Sequence, residues 1–103
     1  MRGFDFDGVV TAGLKPGPGD VVITGRPPKI YHDILKFNLP CPVYCFPSPD
    51  LASPGEIAAW KSLIIKALMV TVFFEDNPYQ AECIRRACPG VEVIMPPFTS
   101  VPA

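Results

Sequence analysis

The sequence predicts an α/β domain built on a mainly parallel sheet, and three observations carry that prediction. Short runs rich in Val, Ile, Phe and Tyr alternate with segments whose apolar residues have helical spacing. Most of those runs are apolar nearly throughout, as strands covered on both faces are. Three of them end in polar chemistry, at Asp5 and Asp7, at Thr24-Gly25-Arg26 and at Glu75-Asp76-Asn77. In a parallel sheet those ends meet at the carboxyl edge, where active sites gather.

The first strand is Arg2 to Asp5. From Gly8 to Asp20 the chain holds too much Gly and Pro for a helix, so the connection to the second strand, Val21 to Thr24, is expected to be an irregular crossover or flap. In PPKIYHDILKFNLP, Ile30, Ile34 and Phe37 with Tyr31 and Leu35 form an apolar stripe. The prolines before it suit a first helical turn, and Asn38 and Pro40 end it. His32 lies off the stripe and reads as a surface residue, whereas Tyr31 reads as a packing group.

The third strand is Val43 to Phe46. In SPGEIAAWKSLIIKALM, Ser53 is a cap with Glu56 three residues on, and Ile57, Trp60, Leu63 or Ile64, and Leu68 keep the helical period. The fourth strand, Thr71 to Glu75, places Phe73 and Phe74 in the core. Asn77 and Pro78 open a third helix, Arg85 and Arg86 come late in it, and Cys88-Pro89-Gly90 stops it. Val91 to Met95 is the fifth strand, and PPFTSVPA an extended end. The 14 prolines fall between these runs, so they punctuate short elements.

With 103 residues the chain is expected to be a single domain, 1–103, with one modest core. A hydrophobic content of 49% argues against general disorder. Nine Lys or Arg against ten Asp or Glu leave a formal charge of -1, which disfavours strong general nucleic-acid binding. No basic leader precedes an apolar run and Lys66 interrupts the longest apolar stretch, so a cytoplasmic protein without a membrane segment is expected. Neither Cys41 with Cys45 nor Cys83 with Cys88 has the C-x2-C spacing of a zinc site, so all four read as free thiols.

Carboxylates brought together at one sheet edge repel, and a hard divalent cation between them relieves the repulsion. Mg2+ suits Asp5, Asp7, Glu75 and Asp76 because it takes oxygen ligands and keeps waters that a phosphate oxygen can replace. In an extended FDFDG, Asp5 and Asp7 face one side, and Gly8 lets the chain turn directly after them. One carboxylate can then attack phosphorus while the other hands a proton to the leaving group. Thr24 offers a hydroxyl, Gly25 an unobstructed amide and Lys61 a cation, which together make a phosphate clamp. Arg26 either touches substrate or caps the surface, and Glu75 and Asp76 have a structural alternative as caps of the third helix.

With these residues in order, nearly the whole chain resembles the haloacid dehalogenase-like (HAD-like) superfamily. DFDGV is similar to its opening motif, VVITG to its second, a lone lysine at a helix start to its third, and VFFED to its fourth. The resemblance implies a three-layer Rossmann-like fold with a five-stranded sheet of order 3-2-1-4-5 and, for want of any long insert, no cap domain. It implies Asp5 as nucleophile, Asp7 as general acid and base, and Thr24 on the phosphate. Lys61 is the basic group with Lys66 in reserve, and Asp76 binds Mg2+ with Glu75 assisting and the Asp7 carbonyl as a further ligand. Gln80 stands where some members carry another aspartate.

The implied activity is a Mg2+-dependent phosphomonoester hydrolase working through an aspartyl-phosphate. Its substrate would be a phosphorylated small molecule or an exposed macromolecular phosphate, and so small a core suits a homo-oligomer. Two other readings accompany it. One is a catalytically weak binding or oligomeric interaction module, suggested by the missing first crossover helix and cap. The other is a polynucleotide-end phosphatase, since an open site admits a chain end.

Overall fold

The computed structural model describes residues 1–27, 34–47 and 52–97. Its sheet has five strands, β1 (Arg2–Phe4), β2 (Val21–Thr24), β3 (Val43–Cys45), β4 (Val72–Phe74) and β5 (Glu92–Ile94), in the order β3-β2-β1-β4-β5. Every neighbouring pair is parallel, with Phe4 opposite both Val22 and Phe74. The regular strands are shorter than the apolar runs suggest. At Asp5 and Glu75 the amides still donate across the ladder, to Phe74 and Ile94, while the side chains turn to other work.

Two helices follow the sequence pattern closely. The first, α1 (Pro54–Ala67), opens on Ser53, whose side chain accepts from Glu56 N–H while the Glu56 carboxylate accepts from Ser53 N–H. This reciprocal arrangement satisfies amides that a helix start otherwise leaves without partners. The second, α2 (Pro78–Ala87), is capped by Asn77, which accepts from Gln80 N–H. Arg85 and Arg86 occupy its last turn, where cations complement the helix dipole.

In α1 the choice left open between Leu63 and Ile64 in the expected apolar stripe falls to Ile64. The buried face of the helix is Ala58, Lys61, Ser62 and Ile65, with Trp60, Ile64 and Leu68 packed beside it, whereas Leu63 is 65% exposed. Lys61 stands midway along the helix, not at its start, because the helix reaches back to Pro54. Lys66 is exposed in the last turn.

Strand alternation divides the core between two faces of the sheet. Val21, Ile23, Phe73 and Val93 pack with Ile65 of α1 and Ala81 and Ile84 of α2. Phe4, Val22 and Phe74 face the other way and pack with Phe6, Val9, Val10 and Ile34, Phe4 stacking on Phe74 at 4.6 Å. Each such side chain withdrawn from water contributes roughly 1.5–3 kcal/mol. On this second face Ile34 and Leu35 are helical and Lys36 and Phe37 form a turn, while Ile30, Tyr31 and His32 of the first predicted helix lie outside the described residues, as does the tail from 98 on. Leu35 and Phe37, expected in its apolar stripe, are exposed, although Phe37 sets its edge on Phe6.

The first crossover contains no α-helix. Phe6 to Val10 form one wide turn in which Thr11 N–H donates to Phe6 C=O, and extended Asp7 and left-handed Gly8 break any helical path. Val9 and Val10 are buried by it. The far end is held by Asp20, whose carboxylate accepts from Arg2 Nε and Nη2 at 3.2 and 2.8 Å and from Gly17 N–H at 2.6 Å. Short length is thus met by a turn and an ion pair, and β2 reaches its parallel register. The four cysteines are free thiols.

Candidate functional site

Parallel strands bring Asp5, Thr24 and Glu75 to one sheet edge, where a cleft of about 420 Å³ opens. Asp5, Asp7, Gly25, Arg26, Lys61, Glu75, Asp76 and Gln80 line it, so it holds four carboxylates and two cationic side chains. Gly25 is close-packed there, since a Cβ would sit 2.9 Å from Ile57 Cγ2.

Lys61 is the centre of the buried polar group. Its ammonium donates to Glu75 Oε1 at 2.7 Å, Gln80 Oε1 at 2.8 Å and Asp5 Oδ1 at 3.2 Å, which uses its three N–H groups. Asp5 Oδ1 also accepts from Phe6 N–H, and Glu75 Oε2 from Asn77 N–H. Among the described residues, no buried side-chain nitrogen or oxygen lacks a partner. Two carboxylates nevertheless share one ammonium. Burial pushes the Asp5 carboxyl up to about 8; Lys61 opposes that shift and the neighbouring Glu75 adds to it.

Asp5, Glu75 and Asp76 each place a carboxylate oxygen within 4.8 Å of the others. Asp76 reaches this position across Gly8, which has φ +77° and no Cβ; a side chain there would run into the Asp76 carboxylate. Three hard oxygen donors in a pocket of surplus negative charge fit a small divalent cation such as Mg2+. Among the described residues, no sulfur or nitrogen ligand joins the cluster.

Asp7 departs from the expected metal set as far as its carboxylate is concerned. That group faces Arg26, which donates through Nε and Nη2 to its two oxygens at 2.8 and 2.7 Å, and it stands apart from the three clustered carboxylates. Asp5 and Asp7 are each extended, but the turn that starts at Phe6 lies between them, so their carboxylates do not share the one side expected of a continuous strand: Asp5 is buried and clusters with Glu75 and Asp76, and Asp7 is exposed beside Arg26.

Thr24 is also displaced from its expected role as a cleft-lining clamp. It is fully buried, and its Oγ1 accepts from Arg26 N–H at 3.1 Å. The hydroxyl therefore shapes the turn that presents Gly25 and Arg26 to the cleft. Lys61, rather than Lys66, supplies the buried cation. Asn77 is a helix cap, as its sequence position indicates, and Glu75 supports the same corner.

Gln80 carries no task in the sequence pattern, and Arg26 stands there between substrate contact and surface cap. The cap at Asn77 puts Gln80 in the first turn of α2, and from there its amide oxygen receives Lys61. Comparison of the chain with models of known protein families, with curated proteins and with solved structures found no match in any of the three. No helix among the described residues is long and apolar enough to cross a membrane.

Proposed function

We propose that this chain is a Mg2+-dependent phosphomonoester hydrolase of the haloacid dehalogenase-like type, with no cap domain. The observation that carries the reading is the meeting of Asp5, Glu75 and Asp76 beside the buried ammonium of Lys61 at the carboxyl edge of the sheet. Asp5 and Asp76, with Glu75 assisting, would hold the cation, together with the Asp7 carbonyl. When bound, Mg2+ neutralises the carboxylates and orients a phosphate oxygen.

Asp5 attacks phosphorus, forming a carboxylate oxygen–phosphorus bond, the acyl phosphate of Asp5, as the bond to the leaving oxygen breaks. Asp7 gives that oxygen a proton. Water then attacks the same phosphorus, Asp7 takes its proton, and the Asp5 carboxylate and inorganic phosphate are released. Lys61 balances the charge of Asp5 and of the transferred group, with Gln80 and Glu75 keeping its ammonium in place. Gly25 offers its amide to the phosphate, while Thr24 acts beneath it by holding the turn.

The test is phosphate release from p-nitrophenyl phosphate by wild type and Asp5→Asn, each with Mg2+ and with chelator. Release that needs both Asp5 and the metal supports the reading; equal release by the variant, or indifference to metal, rejects it. A second reading, a catalytically weak binding module, draws on the Arg26 fork that occupies both Asp7 oxygens. It predicts Mg2+ and phosphate binding with no turnover across a broad panel of phosphoesters.

A further inference from the structure

The Asp7–Arg26 pair is poorly suited to a general acid at rest, because both Asp7 oxygens are engaged by guanidinium donors. Before either oxygen can serve a leaving group, the carboxylate must leave the fork. Arg26, in contrast, is built to stay. Its N–H donates to Thr24 Oγ1, its carbonyl accepts from Phe46 N–H, and its guanidinium lies 5.4 Å from the centre of the Phe6 ring. Asp7 rests on extended backbone beside Gly8, with about half of its side chain (53%) exposed. The base of Arg26 is pinned, and what sits in its fork is exchangeable.

We propose that Arg26 is a second anion site of this cleft, and that the substrate is a phosphomonoester bearing a further anionic group, carboxylate or phosphate, that replaces Asp7 in the fork. The inference rests on the phosphatase reading of the same cleft. The fork already holds a carboxylate in the two-point geometry that guanidinium groups prefer, so Asp7 occupies the place of the incoming anion. A half-exposed ion pair is weakly held, which lets an anion anchored at its phosphate end compete for the fork. The exchange couples recognition to chemistry: an ester with a neutral tail leaves Asp7 tied, whereas one with an anionic tail releases it toward the leaving oxygen.

The experiment compares glycerol phosphate, phosphoglycerate and glycerol bisphosphate as substrates of wild type, Arg26→Gln and Arg26→Lys, each variant first checked for wild-type circular dichroism. Wild type should favour one or both anionic tails by about 10- to 100-fold in kcat/KM, the range of a charge-assisted contact. In Arg26→Gln the ratio between tails should fall toward unity, and Arg26→Lys should keep part of it, since lysine supplies charge without the fork. Which anionic tail is preferred distinguishes a carboxylate site from a phosphate site. A ratio that is the same in wild type and Arg26→Gln overturns the inference while leaving the phosphatase reading standing.

Calorimetric titration of phosphoglycerate and glycerol bisphosphate into Asp5→Asn, with and without Arg26→Gln, reads the site without turnover. Arg26-dependent binding, where the wild type hydrolyses none of the three esters and releases no phosphate from p-nitrophenyl phosphate, supports the anion site and removes the phosphatase reading. Binding indifferent to Arg26, or no binding and no turnover, overturns the inference.

Discussion

Lys61 Nζ lies 2.7 Å from Glu75 Oε1, and the two side chains keep only 2% and 1% of their surface. A charge so deeply buried is stable only while its partner remains, because desolvation is not recovered when one member is removed. Lys61→Met should therefore lower the unfolding free energy by about 3–5 kcal/mol in urea denaturation, since it strands Glu75 and Asp5 together. Adding Glu75→Gln to Lys61→Met should recover part of that loss. Additive effects of the two substitutions would contradict the coupling.

Gly8 meets two demands at once, a φ of +77° and room for the Asp76 carboxylate. Gly13 meets only the first, with φ +113° and nothing within 4 Å of the place a Cβ would take. Gly8→Ala should cost at least about 1–2 kcal/mol of stability from the backbone alone and weaken Mg2+ binding by moving Asp76. Gly13→Ala should cost stability but keep the Mg2+ affinity. Calorimetric titration of Mg2+ into the two variants separates strain from damage to the cation site.

The Arg2–Asp20 pair gives stability a defined dependence on pH. Burial pushes the Asp20 carboxyl up, but hydrogen bonds from Arg2 and Gly17, with the Arg2 charge, outweigh it and hold the group below the ordinary carboxylate value. A carboxyl depressed on folding contributes stability that is present above its unfolded pKa and lost as pH falls through its folded one. Asp20→Asn should cost about 1–3 kcal/mol at neutral pH, and the difference from wild type should shrink below about pH 4 and vanish once both forms bind the proton. Urea denaturation across that range measures it. A gap independent of pH would mean that Asp20 acts through packing.

Local patterns were legible in the sequence to the extent that their partners are close in the chain. Ser53 and Glu56 cap each other three residues apart, and Asn77 caps Gln80, so both helix starts could be read directly. Apolar strand ends in Asp5, Thr24 and Glu75 were enough to place one cluster at a parallel edge. The contacts that decide roles span far more chain. Lys61 has Asp5 56 positions away, and a lysine flanked by Trp60 and Ser62 has no local mark of burial. A strand end can offer the Thr24 hydroxyl to a ligand or to the chain, and here the nearby Arg26 amide takes it. Leu63 and Ile64 divided by packing of α1 on the sheet, which periodicity left open.

Asp76 supplies the cleanest test of the cation site, because the other two clustered carboxylates also serve Lys61. Among the described residues its carboxylate forms no ion pair, so substituting it removes a ligand without dismantling the buried network. In chelator, Asp76→Asn should melt no lower than wild type, since it removes one negative charge from a cleft that holds a surplus of them. With Mg2+ at about a hundred times its dissociation constant, wild type should gain roughly 2.7 kcal/mol by linkage, equivalent to roughly 10–20 °C in Tm for a domain of this size. The variant should lose most of that rise at the same Mg2+ concentration. Scanning calorimetry with Mg2+ and with chelator gives both comparisons, and a variant that gains as much as wild type would remove Asp76 from the cation site.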